Sequence, residues 1–339
     1  MKRTVTVGVI AYNEHRYLQD LLQDILAQTY PKDGTQIILV DGESSDDTWE
    51  IMQAFKDRYG AQYRGIQVLK NPKRIQPAGW NVVIQNSTAD ILLRIDAHAR
   101  LPRDFIERNV ACIDSGEYVC GGPRENIVDE DTPWKRVLLR VEQSLFGAGI
   151  AAYRQKAETK TYVASVFLGA YRKEVLDKVG LFNEELIRTE DNEYHYRVRQ
   201  AGYRICYDPT IRSRYQTRNS LRGMLKQKYL NGFWIGKTLF ICPGCLSLFH
   251  LVPTAFVWGM LLTAILCACG VAWPAIAFWI VYGAANIAMS LFAFLSEKSW
   301  VCVCLPVLFL LLHMSYGVGT SLGIGEMLGK KLGAGKHKR

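Results

Sequence analysis

The chain has 339 residues, 49% of them hydrophobic, with a formal net charge of +9. That length fits one large domain or two ordinary ones. The charge suits anionic partners such as nucleotides, lipid phosphates or an anionic leaflet, and with no nucleic-acid motif to use it, phosphate and membrane are the expected partners and nucleic acid is not.

The apolar residues are unevenly spread. Residues 1 to about 230 read as a soluble α/β protein, and the last hundred are far more apolar. No secretory signal pattern opens the chain, because Met1-Lys2-Arg3 leads directly into a strand pattern. The nine cysteines are scattered, so reduced thiols are expected. Cys242-Pro243-Gly244-Cys245 has redox or half-zinc spacing without a partner pair and reads as a juxtamembrane turn.

In chain order, residues 4–12 form a first strand rich in β-branched residues. Residues 15–28 show helical spacing through Leu18, Leu21, Leu22, Ile25 and Leu26. A second buried strand at 37–40 ends in Asp41-Gly42. Helix-start residues at 44–48 lead into a helix reaching about Tyr59. Residues 66–69 are a third strand, 76–85 a helix, and 91–95 a fourth, apolar strand. Alternating strands and helices predict a parallel sheet with right-handed crossovers. Ligands of such sheets sit beyond the carboxyl ends of the strands. Asn13, Asp41, residues 70–74 and Asp96 all follow strand ends, so four stretches converge on one rim.

Asp96 and His98 stand one residue apart at the end of the fourth strand, where side chains at i and i+2 point the same way. A carboxylate and an imidazole so placed can share a divalent cation, which can hold a diphosphate. Taken alone, such an aspartate is more often a turn former. Neither a G-x-G-x-x-G after the first strand nor a Walker A loop is present. A metal-bridged nucleotide diphosphate is therefore expected in place of a glycine-rich phosphate cradle.

These stretches carry a resemblance: Tyr12-Asn13-Glu14, residues 40–48 (VDGESSDDT), residues 71–77 (NPKRIQP), Asp96-Ala97-His98, Gly169-Ala170-Tyr171-Arg172 and Thr189-Glu190-Asp191-Asn192-Glu193. Over about residues 4 to 235 the chain resembles the family 2 glycosyltransferases of the GT-A fold, near the ExoA-type enzymes of bacterial exopolysaccharide assembly. It departs from the family pattern in lacking a proline before Tyr12 and in having His98 where most members have Asp. The resemblance implies an α/β, mostly parallel GT-A sheet followed by an amphipathic helix and membrane helices. It implies donor binding by Ala11, Tyr12, Glu14, Asp41, Arg74, Asp96 and Gly169, with Mn2+ or Mg2+ on Asp96 and His98. Asp191 would be the general base, and Glu190 would orient it or the acceptor. Glu193 is expected to be solvated or to stand behind these.

Each assignment has a plainer competitor. Asp41 can be a turn aspartate, Arg74 a solvated surface arginine, and Glu190 and Asp191 ordinary first-turn acids of a helix capped by Thr189. Gly169 follows a strand-like run at 162–167 and lets backbone approach a donor sugar, or makes a tight turn. Residues 124–160 are read as an acceptor-side region, with Arg154 a candidate phosphate contact.

Leu221, Met224, Leu225, Tyr229, Phe233 and Trp234 fall on a helical period beside Arg222, Lys226, Lys228 and Lys237. This predicts a basic amphipathic helix in the headgroup plane, with Arg222, Lys226, Gln227 and Trp234 as interface or acceptor contacts. Apolar stretches at 249–270, 272–295 and 300–320 are each long enough to span a bilayer. The expected organisation is a catalytic domain at 1–218, an interfacial helix at 219–245, a transmembrane region at 246–325 and a basic tail at 326–339. The orientation is ambiguous. Three spans put the C-terminal lysines outside, against the positive-inside rule.

The implied function is inverting transfer of one sugar from a UDP-sugar to a polyprenyl-phosphate-type, lipid-linked glycan, at the inner (plasma) membrane with a cytoplasmic catalytic domain. The alternatives are a processive synthase, disfavoured by the missing Q-x-x-R-W motif, a nucleotidyltransferase, disfavoured by the missing glycine- and lysine-rich loop, and a non-catalytic membrane scaffold.

Overall fold

The computed structural model describes residues 2–128, 130–144, 146–147, 157–216, 220–297 and 300–336. In chain order the elements of the first part are β1 (Val5–Ala11), α1 (His15–Leu26), β2 (Thr35–Asp41), α2 (Thr48–Tyr59), β3 (Gly65–Lys70), α3 (Gln76–Asn86) and β4 (Ile91–Asp96). Then come β5 (Ala99–Arg100), α4 (Phe105–Asp114), β6 (Val119–Gly122), β7 (Arg124–Ile127), α5 (Pro133–Gln143), β8 (Thr161–Val163) and β9 (Phe167–Arg172). The chain continues through α6 (Lys173–Val179), α7 (Glu190–Gln200), β10 (Ile205–Tyr207), β11 (Ser213–Gln216), α8 (Leu221–Ile241), α9 (Val252–Ala268), α10 (Trp273–Glu297) and α11 (Leu305–Lys336).

The chain divides into two units. The first comprises Met1–Ile127 and Ala152–Gln216. It holds an eight-stranded sheet in the order β3-β2-β1-β4-β9-β6-β10-β8 and a three-stranded sheet β5-β11-β7. The four strands read from the sequence pair in parallel, Val5 opposite Thr35 and Ile91, and Ile37 opposite Ile66. Their apolar runs follow from burial on both faces. Val5, Val7 and Val9 of β1 pack with Leu18, Leu21 and Ile25 of α1, whereas Ile38, Val40 and Leu92 pack with Trp80 and Val83 of α3 and Tyr194 and Val198 of α7. Period-two alternation thus sends one strand's side chains into two cores. Gly8 faces α3, where a Cβ would stand 2.4 Å from Val83 Cγ1.

The run expected as one strand at 162–167 is two. β8 pairs antiparallel with β10 at the sheet edge, and β9 runs antiparallel between β4 and β6. Gly169 therefore lies inside a central strand and not in a turn after one.

The second unit comprises Val128–Ala151 and Thr217–Arg339. The helix α5 belongs here, although its sequence position lies within the expected catalytic domain. The reason is its apolar stripe: Val137, Leu138 and Val141 are buried with Met224 of α8 and Leu305, Leu308, Phe309 and Leu312 of α11. Thr132 and Pro133 start α5, the Thr132 hydroxyl accepting from the Lys135 N–H.

Three apolar segments here are long enough to cross a membrane: Leu248–Ala268, Trp273–Leu295 and Trp300–Leu332. The third is longer than expected. What reads as a basic tail from 326 is helical through Lys336, a stretch that holds several glycines and no proline to stop α11. The helix α8 also differs from expectation. Its buried face is Met224, Lys228, Gly232, Ile235, Gly236 and Thr238, and it lies against α11. Cys242 and Cys245 lie in the turn after α8 and form no disulfide.

Candidate functional site

The site lies in the first unit, at the carboxyl ends of the parallel strands. Three loops leave that rim through non-glycine residues in the left-handed region, Asn13 (φ 56°), Glu43 (φ 58°) and Arg74 (φ 56°). Each such residue is strained by roughly 1–2 kcal/mol. The strain is held by hydrogen bonds between loops. The Asn13 side-chain carbonyl accepts from the Ser45 N–H at 2.8 Å, and the Asn13 N–H donates to the Ser44 hydroxyl. Arg74 pairs with Glu43 at 2.6 Å, so Arg74 is a loop-to-loop clamp as well as a donor candidate.

Ala11 ends β1 buried, its carbonyl accepting from the Gly42 N–H at 2.8 Å. Tyr12 beside it is half exposed on the rim. The Asp41 carboxylate is fully buried and accepts from the Ser44 N–H at 3.2 Å through both oxygens. That is the turn role the sequence left open, and it puts the carboxylate beneath the rim.

Asp96 ends β4 half-buried and accepts no hydrogen bond from the described residues. His98 follows at the start of the β4–β5 turn. Its Nδ1 is 3.1 Å from Glu14 Oε1, and its ring meets Tyr215 edge-on, centroids 4.7 Å apart. Burial alone would lower the His98 pKa. The hydrogen bond to Glu14, with Tyr215 and Asp96, raises it to about 10. Glu14 on Nδ1 turns Nε2 to the rim, the carboxylate–histidine pairing usual behind a metal ligand, and a cation would have to displace the Nε2 proton to be ligated there. Among the described residues no three His, Cys, Asp or Glu side chains cluster to hold a metal. Two protein ligands with the rest supplied by phosphates and water is the pattern of a phosphate-bridging cation, and Asp96 with His98 fits it.

Glu190 and Asp191 open α7. Thr189 holds the N-cap position without a side-chain cap bond. Glu190 is buried, 2% exposed, and pairs with Arg94 of β4 at 2.9 Å. Burial drives the Glu190 carboxyl up to about 8, with Asp191 adding and Arg94 opposing. Arg94 stays charged because Glu190, Asp96, Tyr171 and Asp191 outweigh its own burial. Its guanidinium lies 4.8 Å from the Trp80 ring and 5.3 Å from that of Phe182. Glu190 is therefore tied beneath the helix start by its pair with Arg94. Asp191 is partly exposed, and its Oδ1 accepts from the Asn192 N–H at 2.8 Å. Glu193, expected in solvent or behind these carboxylates, is buried and pairs with Arg197 at 2.7 Å.

Arg94 was missed by the sequence reading, which treated residues 91–95 as plain core. The signal was there, an arginine inside an apolar strand two residues before Asp96. His195 was also missed. It is buried between the Ser165 hydroxyl and the Tyr171 hydroxyl, each at 2.8 Å. Gly169 serves this network, since a Cβ there would stand 2.7 Å from the Tyr171 oxygen.

Arg154 lies outside the described residues. Arg222 and Lys226 are exposed on α8 of the second unit, with Gln227 and Trp234 half-buried. The Lys237 ammonium sits 4.4 Å from the Trp234 ring.

The family described as "Glycosyl transferase family 2" matches residues 6–180, just over half the chain. Over 321 residues the chain is 24% identical to the dolichyl N-acetyl-alpha-D-glucosaminyl phosphate 3-beta-D-2,3-diacetamido-2,3-dideoxy-beta-D-glucuronosyltransferase of Methanococcus voltae, covering 92% of this chain and 95% of that one. Over 316 residues it is 25% identical to the succinoglycan biosynthesis protein ExoA of Rhizobium meliloti (strain 1021), covering 91% of each. Among solved structures, the mannosyltransferase PcManGT from Pyrobaculum calidifontis, in complex with GDP-Man and Mn2+, is similar with a TM-score of 0.60. That likeness covers 96% of this chain and 87% of that one at 16% identity, and is one of fold.

Proposed function

The chain belongs to glycosyl transferase family 2, and from that premise we propose that it is a membrane-bound, inverting, metal-dependent glycosyltransferase moving one sugar from a UDP-sugar to a polyprenyl-phosphate-type, lipid-linked glycan. The observation that carries the reading is the buried Arg94–Glu190 pair. It ties the start of α7, where Asp191 would act as base, to the strand whose end bears Asp96. The acceptor class rests on likeness to the Methanococcus voltae enzyme, which is named for a dolichyl-phosphate-linked substrate. The catalytic unit works from the cytoplasmic face of the plasma membrane, where nucleotide sugars are made.

Tyr12 and Arg74 at the rim hold the donor, and Asp96 with the Nε2 of His98 would hold a divalent cation, Mn2+ or Mg2+, whose charge would neutralise that of the departing diphosphate. Asp191 accepts the proton of the acceptor hydroxyl as its oxygen bonds to the anomeric carbon and the bond to the diphosphate oxygen breaks. One base and one displacement give inversion. Glu190 and Arg94 do not touch substrate and act by fixing Asp191.

The test is UDP binding with and without EDTA in the full chain and in Asp96→Ala, beside transfer from UDP- and GDP-sugars to a polyprenyl-phosphate-linked sugar. Metal-dependent UDP binding that Asp96→Ala abolishes is expected. Unchanged, EDTA-sensitive binding by the variant refutes the metal assignment, and transfer from GDP-sugars alone refutes the donor.

A further inference from the structure

By composition the third apolar segment, Trp300–Leu332, is the equal of the first two, with mean hydropathy 2.1 against 2.0 and 1.7. It differs in what covers it. Within the protein 39% of its span window is buried, against 11% for each of the others.

The cover is charged. The helix α8 runs parallel to α11 along most of its length. Met224 is buried with Leu308 and Leu312. A Cβ on Gly232 would lie 2.1 Å from Tyr316 O, and one on Gly236 2.3 Å from Thr320 O. Lys237 pairs with Glu326 at 3.1 Å, and Lys331 lies 5.0 Å from the Phe240 ring. Backbones this close, through facing glycines, bind the two helices as one rod. The rod carries Arg222, Lys226, Lys228 and Lys237 on one member and Glu326, Lys330 and Lys331 on the other. At its start α5 adds Lys135, Arg136 and Arg140, and Glu142 pairs with the buried Lys228 at 3.4 Å.

We infer that α11 does not cross the bilayer. It lies with α8 in the headgroup boundary, the α9–α10 hairpin alone enters the hydrocarbon, and residue 332 stays on the side where α8 begins. If α11 crossed, α8 would be drawn through with its cations, each of which outweighs roughly six leucines at mid-bilayer. Laid in the boundary, Arg222 and Lys226 stay exposed to meet anionic headgroups.

The hairpin has the opposite character. It meets α11 through the half away from its turn: the Trp258 indole N–H donates to the Ser321 hydroxyl at 2.9 Å, the Tyr282 hydroxyl lies 3.0 Å from His313 Nδ1, and the Asn286 amide donates to the Pro306 carbonyl at 2.9 Å. Towards the turn at Gly270, Leu261, Leu262, Ile265, Trp273, Ile276 and Ile280 are exposed, with no charge among them. Two crossings also return the lysines at 330 and 331 to the starting side, as the positive-inside rule requires. With Gln216 only a few residues before α8, that side is the catalytic one.

The experiment places single cysteines at Val271, in the hairpin turn, and at Leu332. The host chain is the full protein with Cys242, Cys245, Cys267, Cys269 and Cys304, the cysteines that are not buried, changed to serine. Variants are labelled with a membrane-impermeant maleimide in sealed vesicles of known orientation, and only those that melt as the parent does are scored. A reporter fused after Arg339, which needs no substitution, reports the same side independently. Val271→Cys is expected to label from the face opposite the catalytic unit, and Leu332→Cys and the reporter from the catalytic face. Labelling of residue 332, or reporter activity, on the opposite face makes α11 a third crossing and overturns the inference. Protection of residue 271 from the opposite face overturns the two-crossing hairpin.

Discussion

Replacing Arg94 with methionine isolates what the buried pair does. The Arg94 side chain is 11% exposed and that of Glu190 3%, so the pair is held away from water. Removing one member of such a pair costs about 3–5 kcal/mol, because the other charge is stranded. Protonation caps the loss here. Burial already drives Glu190 up to about 8 against the pull of Arg94, and without Arg94 the carboxyl is neutral through the physiological range. Methionine keeps part of the contact with Trp80 and Phe182. With the loss held to the lower end of that range, about 3 kcal/mol, the expected fall in Tm for a unit of this size is roughly 6–12 °C. Transfer should fall as well, through kcat more than through donor affinity, because Asp191 follows the start of α7. The second arm is Arg94→Met with Glu190→Leu, which removes both charges. It should regain most of the lost Tm, as apolar replacements of buried ion pairs do, and should not regain transfer. The assays are melting of the detergent-solubilised full chain and single-turnover transfer beside donor binding. An Arg94→Met protein that melts within about 2 °C of the parent and transfers normally refutes the reasoning.

Asp191→Asn should retain donor and metal binding and lose turnover by roughly two to four orders of magnitude; loss of donor binding would mark the carboxylate as structural. His195 offers a pH test. Burial, with the positive charges of Arg94 and Arg199, lowers its pKa to about 3, whereas an unfolded histidine titrates near 6.5. A depressed histidine contributes stability fully above pH 6.5 that is lost as pH falls towards 3, by up to about 1.4 kcal/mol per unit. Urea melts at pH 7, 6 and 5 should show that slope, and His195→Gln should flatten it. At the α8–α11 seam, Gly236→Leu should cost about 1–3 kcal/mol in detergent melts, while Gly60→Ala, with nothing within 4 Å of its Cβ position, should leave stability nearly unchanged.

Much of the first unit was legible because its signals are local. Four apolar runs, the first three each followed by a helical stretch, mark β1 to β4 with α1 to α3, and the residues after each run mark the rim. Less legible was whatever depends on partners far along the chain. The strand β9 reads as a turn because its neighbours β4 and β6 lie about 75 and 50 residues earlier. Glu190 reads as an exposed first-turn acid until Arg94 is known to reach it. Asp41 reads from sequence as a nucleotide contact or, standing alone, as a turn former, and the Ser44 N–H shows the turn bond it makes. The helix α8 reads as an interfacial helix because its basic residues are visible, whereas the glycines that press it onto α11 signal nothing until both helices are side by side.

The place of α5 has a consequence for how the protein is made. Its apolar residues Val137, Leu138 and Val141 find cover on α8 and α11, yet Leu305 is synthesised about 160 residues after Val141. At the usual pace of translation that is a wait of roughly 10–30 s. During it the stripe has at most α8, through Met224, for a partner of its own chain, and the lipid surface or a chaperone must shield the rest. A chain stopped at residue 218, the expected end of the catalytic domain, would keep α5 and make neither α8 nor α11, so it would carry that stripe uncovered and aggregate. Removing residues 128–151 along with everything past 216 is the route to a soluble catalytic unit.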